Sequence, residues 1–165
     1  MWEDRDFANY IVGQADADSA FCVEVYEHKR YSFGVRVWVY WTISKAFDEN
    51  ILKRITDFLG VGKVRYVKAR KPLPDYELRV YGKECSKIVE FFEKFPLRAN
   101  KQKDFELWKE AVEICNSRKR SHGNPWKKEE LLKVLVIRQQ LTHLWTRGKR
   151  HGRDISNLIE KLKAN

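Results

Sequence analysis

The sequence is poor in cysteine, and the few it has are scattered. Cys22, Cys85 and Cys115 are odd in number, far apart and form no C-x-x-C pair. That pattern excludes a zinc knuckle and a disulfide framework, and the three read as reduced, mostly buried thiols of an intracellular protein. His28, His122, His143 and His151 share no metal-ligand spacing, so none is assigned to catalysis. There is no apolar run of about eighteen residues, which excludes a membrane-spanning helix. The opening Met-Trp-Glu-Asp-Arg-Asp is acidic and lacks the basic-then-apolar order of a signal peptide, so secretion is not expected.

What is present is charge and aromatic surface. The chain has 165 residues, 43% of them apolar, which suits one domain with a single core. The net charge is +10 and unevenly spread. Residues 1–20 hold five acids against Arg5, a net of −4, whereas residues 98–153 hold fifteen Lys or Arg against six acids, a net of +9. Six Trp and seven Tyr lie among these charges. The asymmetry points to a polyanionic partner, nucleic acid ahead of membrane because no helix has a strongly basic amphipathic pattern.

Periodicity gives the elements. Phe21 to His28 alternates as a half-buried strand, with Glu24, Tyr26 and His28 on the face away from the core. Lys29 to Gly34 is a turn. Val35 to Ser44 alternates again, directing Val35, Val37, Val39, Trp41 and Ile43 inward and Arg36, Trp38, Tyr40, Thr42 and Ser44 outward. Two large aromatics and an arginine in that outward row suggest a surface that meets something large, or one covered by a second helix layer. Asp48 caps a helix carrying Ile51, Leu52, Ile55 and Leu59, and Gly60 ends it. Lys63 to Lys68 and Asp75 to Tyr81 pair across Lys71-Pro-Leu-Pro74, with Asp75, Glu77 and Arg79 outward. Helices follow over about 83–95, 103–116, 127–144 and 154–163, separated by the basic connections 117–125 and 147–153. An α+β fold follows: α-β-β-α-β-β-α with one antiparallel four-stranded sheet, helices on one face, and extra C-terminal helices. The domain spans 1–165, with its core at about 7–116 and a C-terminal helical part at about 126–163. The uncovered sheet face carries Arg36, Trp38, Tyr40, Thr42, Lys63, Arg65, Asp75, Glu77 and Arg79, side chains able to read base edges in a major groove.

The chain is organised around Asn9 to Phe21, which begins apolar, carries small residues at Gly13 and Ala17, and ends in Asp16 and Asp18. As a helix it would bring Gly13 and Ala17 to one face for close packing against another helix. Asp18 would sit at its C-terminal end, where the helix dipole disfavours negative charge. A bound divalent cation would resolve that conflict; so would a plain Asp turn between helix and strand.

Ile11-Val-Gly-Gln-Ala-Asp-Ala-Asp-Ser19 resembles the LAGLIDADG motif of homing endonucleases, with Gly13, Asp16 and Asp18 in register. Ala17 and Ser19 stand where the motif has glycines, and Gln14 takes a usually apolar position. Ile51 to Gly62 is similar to the family's second helix, and Phe95-Pro-Leu97 with Lys101 to Trp108 to its "PL…K…DF…W" region. The resemblance covers about residues 7–145. It implies a site-specific, Mg²⁺-dependent endonuclease cutting a long, near-palindromic DNA duplex, with Mn²⁺ or Ca²⁺ able to substitute in binding. The same resemblance makes Asp18 the metal-binding carboxylate, helped by the backbone carbonyl at Ala17. Lys101 becomes the active-site lysine, and Lys45 or Ser44 the water-positioning residue, Lys45 being favoured by strand parity. Only one copy of the motif is present, so a homodimer is implied, joined through Gly13, Asp16 and Ala17. A chain this short fits an intron-encoded protein better than an intein. The alternatives are an RNA maturase or a silent DNA-binding relative of the same fold, and a basic α+β module whose exposed sheet binds protein.

Overall fold

In a computed structural model, residues 2–46, 48–67, 75–118, 126–141 and 155–164 are described. The helix α1 (Arg5–Asp18) is capped by Asp4, whose carboxylate accepts the Phe7 amide at 2.9 Å. It runs without a connecting residue into β1 (Ser19–Glu27). A tight 3₁₀ turn at Ser32–Gly34 leads to β2 (Val35–Ala46). Next come α2 (Glu49–Leu59), β3 (Lys63–Val67), β4 (Asp75–Tyr81), α3 (Cys85–Lys94) and α4 (Lys101–Ser117). The C-terminal part contributes α5 (Lys128–Gln140) and α6 (Ser156–Ala164).

The sheet has the order β1-β2-β4-β3 and is antiparallel throughout. Both hairpins put their second strand in the middle, so β2 and β4 form the centre of a concave, twisted surface. Strand parity follows the sequence pattern. Phe21, Val23, Val39, Trp41, Ile43, Leu78 and Val80 are buried on the helical side. They meet Leu52, Ile55, Ile88, Phe91, Phe92, Phe105 and Trp108 from the helices. Phe21 lies 5.2 Å from Trp108 and 5.7 Å from Phe92, ring centre to ring centre, and Trp108 Nε1 donates to the Cys22 carbonyl at 3.2 Å. The buried cluster extends from Trp2 to Leu162, so α5 and α6 share the core instead of forming a separate unit.

Two glycines are required by geometry. Gly60 ends α2 in the left-handed conformation at φ 68°. At Gly62 (φ 98°) an added Cβ would come within 2.8 Å of Leu78 and Val80, so the α2–β3 corner packs too closely for any side chain.

Several boundaries differ from those the sequence suggests. The helix expected from residue 83 begins at Cys85, because Gly82–Glu84 forms a 3₁₀ turn instead. The helix expected from 103 starts at Lys101. The Lys71–Pro74 break, the connection beyond Arg118, the end of the expected 127–144 helix and the basic loop 147–153 lie outside the described residues. Among those described, no helix is long and apolar enough to cross a membrane.

Candidate functional site

Two surfaces carry chemistry, one at the C-terminal end of α1 and one on the uncovered sheet face. Its last residue, Asp18, leaves the helix at a point where β2 outruns β1: Ser19, the first residue of β1, pairs with Ile43, and β2 continues to Ala46 against β4 alone. Lys45 therefore emerges past the end of β1, on the parity of Ile43, and its Nζ reaches Asp18 Oδ2 at 2.5 Å. From the other side, Lys101 at the start of α4 donates to the carbonyl of Ala17 at 3.1 Å and of Ala15 at 3.2 Å. These are terminal carbonyls of α1, so a cation there offsets the negative helix pole that disfavours Asp18. Burial lowers the Lys101 pKa; Asp18, Asp16 and Asp104 oppose that shift without cancelling it.

Asp16, expected at the helix interface, is engaged by backbone hydrogen bonds within the chain. Its carboxylate accepts the backbone amides of Arg98 (2.9 Å) and Ala99 (3.3 Å) in the same chain. The acid thus holds the segment before α4 and with it the position of Lys101. Gly13 and Ala17 are exposed, and a Cβ at Gly13 would meet nothing within 4 Å. With Tyr10, 40% exposed, they form an open strip of small and aromatic surface along α1. Ser44 has the opposite parity from Lys45 and pairs with Glu77, turned away from Asp18. Of the two candidates for the water-positioning place, only Lys45 reaches the carboxylate.

The second surface is the uncovered sheet face. Glu24, Tyr26, His28, Arg36, Trp38, Tyr40 and Arg79, all expected there, line one concavity of about 360 Å³. Tyr81 lines it too and was not foreseen, although it continues the Asp75, Glu77, Arg79 alternation. Arg36 lies flat over Trp38 at 4.3 Å, and Arg79 over Tyr40 at 4.4 Å and Tyr81 at 5.6 Å. Tyr40 Oη donates to Glu24 Oε1 at 2.6 Å, and Tyr26 donates to the other oxygen. The Glu24 hydrogen bond is the main cause that pushes Tyr26 up to about 12, while burial chiefly raises Tyr40, so both phenols stay protonated donors at neutral pH.

Three expectations for this face need correction. Tyr40 is only 6% exposed, its ring sunk beneath Arg79. Glu77 is 7% exposed and bonded to Arg79 and Arg65, the latter at 3.3 Å, so it faces arginines and not solvent. Burial alone would raise the Glu77 pKa; the bond and charge of Arg79, with Thr42 and Arg65, win and lower it. Thr42 turns its hydroxyl to groups of the protein, the Leu78 carbonyl at 3.0 Å and the Glu77 carboxylate. Lys63, Arg65 and Asp75 lie further along β3 and β4, outside the concavity. In the basic Arg118 cluster, the Arg118 guanidinium stacks on buried Trp126 at 3.6 Å, fastening the C-terminal helices.

A helix ending in Asp18 beside two lysines, under an α-β-β-α-β-β-α sheet, agrees with a family assignment made on sequence. The LAGLIDADG endonuclease profile matches residues 11–112, and the chain belongs to that family. It is 26% identical over 112 residues to an uncharacterized 50.9 kDa protein in ND4 intron 1 of Podospora anserina, matching 66% of this chain and 24% of that protein. The chain thus spans about a quarter of the length of that curated relative. Among solved structures it is similar to the homing endonuclease I-TnaI, at 26% identity and TM-score 0.71 over 95% of both chains. The fold also matches the archaeal intron-encoded homing endonuclease I-Vdi141I complexed with DNA, at 22% identity and TM-score 0.79, over 99% of this chain and 100% of that one. In I-CpaMI bound to uncleaved DNA it matches at 24% identity and TM-score 0.75, with 95% of this chain covering 51% of that chain.

Proposed function

We propose that this chain is an intron-encoded, Mg²⁺-dependent homing endonuclease that acts as a homodimer and cuts both strands of a long, near-palindromic DNA duplex. The observation that carries the reading is the convergence of Lys45 and Lys101 on the Asp18 end of α1, beside an exposed small-residue strip. The donor set fits a hard cation in part. The Asp18 carboxylate, 49% exposed, and the Ala17 carbonyl are oxygen ligands of the kind Mg²⁺ prefers. One carboxylate is too few, and the described residues offer no group of three metal-binding side chains. A second copy packed on the Gly13–Ala17 strip would bring a second Asp18 and Ala17 alongside the first. That this chain matches half of the longer I-CpaMI supports a two-unit assembly.

Bound there, Mg²⁺ would supply charge neutralisation at the reacting phosphate and an acidified water. The chain's own groups do the rest. Asp18 and the Ala17 carbonyl would hold the cation. Lys45 places a positive charge beside Asp18, where it can orient a water toward the phosphorus or stabilise developing oxyanion charge. Lys101, its ammonium made more acidic by burial, can give a hydrogen bond or a proton to oxygen at the same point. Asp16 fixes the backbone from which Lys101 starts. The sheet face would lie in the major groove, with Arg36, Trp38 and Arg79 meeting base edges and Lys63 and Arg65 near phosphates.

The test is cleavage of a randomised duplex library with Mg²⁺, comparing the native chain with Asp18→Asn. Recovery of a near-palindromic cut site, lost in the variant while binding persists, is the expected result. Tight duplex binding with no cutting by either protein would favour a silent DNA-binding relative. Structured-RNA binding without duplex binding would favour a maturase.

A further inference from the structure

Acids on a surface meant for a polyanion need a reason. A carboxylate near phosphates lowers affinity, so each acid is either neutralised within the protein or directed at a donor on the ligand. Glu77 is of the first kind, sealed under Arg65 and Arg79. Glu24 is of the second kind. Among the described residues no ammonium or guanidinium lies within ion-pair distance of it. Two neutral phenols hold it instead, one on each oxygen, and it lines the concavity with Arg36 and Trp38. The hydroxyls fix the carboxylate's direction and leave its charge in place. Each oxygen keeps a further lone pair free for an incoming donor.

Resting on the DNA reading above, we propose that Glu24 is a specificity-determining residue that selects cytosine at one position in each half of the target, by accepting a hydrogen from its exocyclic amino group. The major-groove floor presents two amino donors, on cytosine and on adenine. Adenine sets its N7 acceptor beside the amino group, so a carboxylate that takes the amino hydrogen brings its second oxygen against a lone pair. Cytosine has no such acceptor on its own ring edge. Glu24 therefore prefers cytosine, whereas an amide, with a donor of its own, would suit adenine. The register adds a ruler. Glu24 faces Trp38 across the β1–β2 ladder and Tyr26 faces Arg36, so Glu24 and Arg36 are diagonal neighbours. Diagonal pairs stand roughly 7–8 Å apart, about two base steps of ~3.4 Å, and Arg36 suits guanine.

The experiment selects bound sequences from a randomised duplex library in Ca²⁺, with the full chain and with Glu24→Gln, Arg36→Ala and Tyr26→Phe. The native chain is expected to show a cytosine in each half-site, on mirrored positions. In Glu24→Gln that preference should fall by about tenfold and move toward adenine, all other positions being kept. Arg36→Ala should flatten a guanine position about two base steps away. Tyr26 is 48% exposed, so Tyr26→Phe tests the same point if Glu24→Gln does not fold, by weakening the cytosine preference. A native profile that Glu24→Gln leaves unchanged, or lowers evenly at every position, overturns the assignment while the DNA reading stands. No enriched sequence with the native chain overturns both.

Discussion

Lys45 and Asp18, twenty-seven positions apart in sequence, form an ion pair of 2.5 Å at the end of α1. The two side chains are 21% and 49% exposed, so the pair adds under about 1 kcal/mol to stability once solvent screening is counted. Lys45→Met should accordingly leave the unfolding midpoint almost unchanged and DNA binding intact. Cleavage, measured in single turnover, should drop by roughly 10²–10³ if the ammonium acts on the reacting phosphate. Ser44→Ala, on the other parity, should cut at the native rate; a deficit equal to that of Lys45→Met would assign the position to Ser44.

Gly13 separates folding from assembly. Nothing lies within 4 Å of a Cβ built there, and leucine is the better helix former, so Gly13→Leu should stabilise the isolated chain by about 0.5–1 kcal/mol. The same side chain would block close helix crossing. Sedimentation should then show a monomer, and cutting should be lost in a protein that melts higher than the native one.

Glu77 predicts the acid side of the stability profile. Its pKa is lowered in the folded chain, so its stabilising contribution is complete above the ordinary carboxylate value of 4.5 and is lost as pH falls through the lower folded value. Glu77→Gln should cost about 1–3 kcal/mol at pH 7, by leaving Arg79 and Arg65 without their acceptor. In urea titrations the gap between native and variant proteins should close as pH drops well below 4.5.

Gln14 occupies a position where the family motif is usually apolar, and its Oε1 is buried without a hydrogen-bond partner among the described residues. Gln14→Leu removes that unsatisfied oxygen at similar size. The expected gain is about 1 kcal/mol, a rise of roughly 2–4 °C in Tm by calorimetry for a chain of this size.

Local rules sufficed for much of the fold. Asp75–Tyr81 has the strand limits its alternation suggests, Asp48 accepts the Ile51 amide as a cap, and Gly60 closes α2. Parity alone put seven residues of the concavity on one face. What escaped is tertiary. The sequence does not reveal that Glu77 sinks beneath two arginines, because alternation distinguishes faces and not depths. Asp16 reaches amides more than eighty positions away, a contact no spacing encodes. Lys45 was favoured over Ser44 by parity, but its meeting with Asp18 depends on β2 outrunning β1, which only the paired register reveals.

The junction of α1 and β1 has a mechanical consequence. Asp18 ends the helix and Ser19 begins the strand, with no hinge residue between them. The nine residues of β1 make an arm of about 30 Å. On such a crank, a tilt of about five degrees at the helix swings the far end of the strand by roughly 2.5 Å, most of the ~3.4 Å between base pairs. In the proposed dimer, then, the crossing angle of the two α1 helices, and no flexible joint, would set where along a duplex the outer ends of the strands fall.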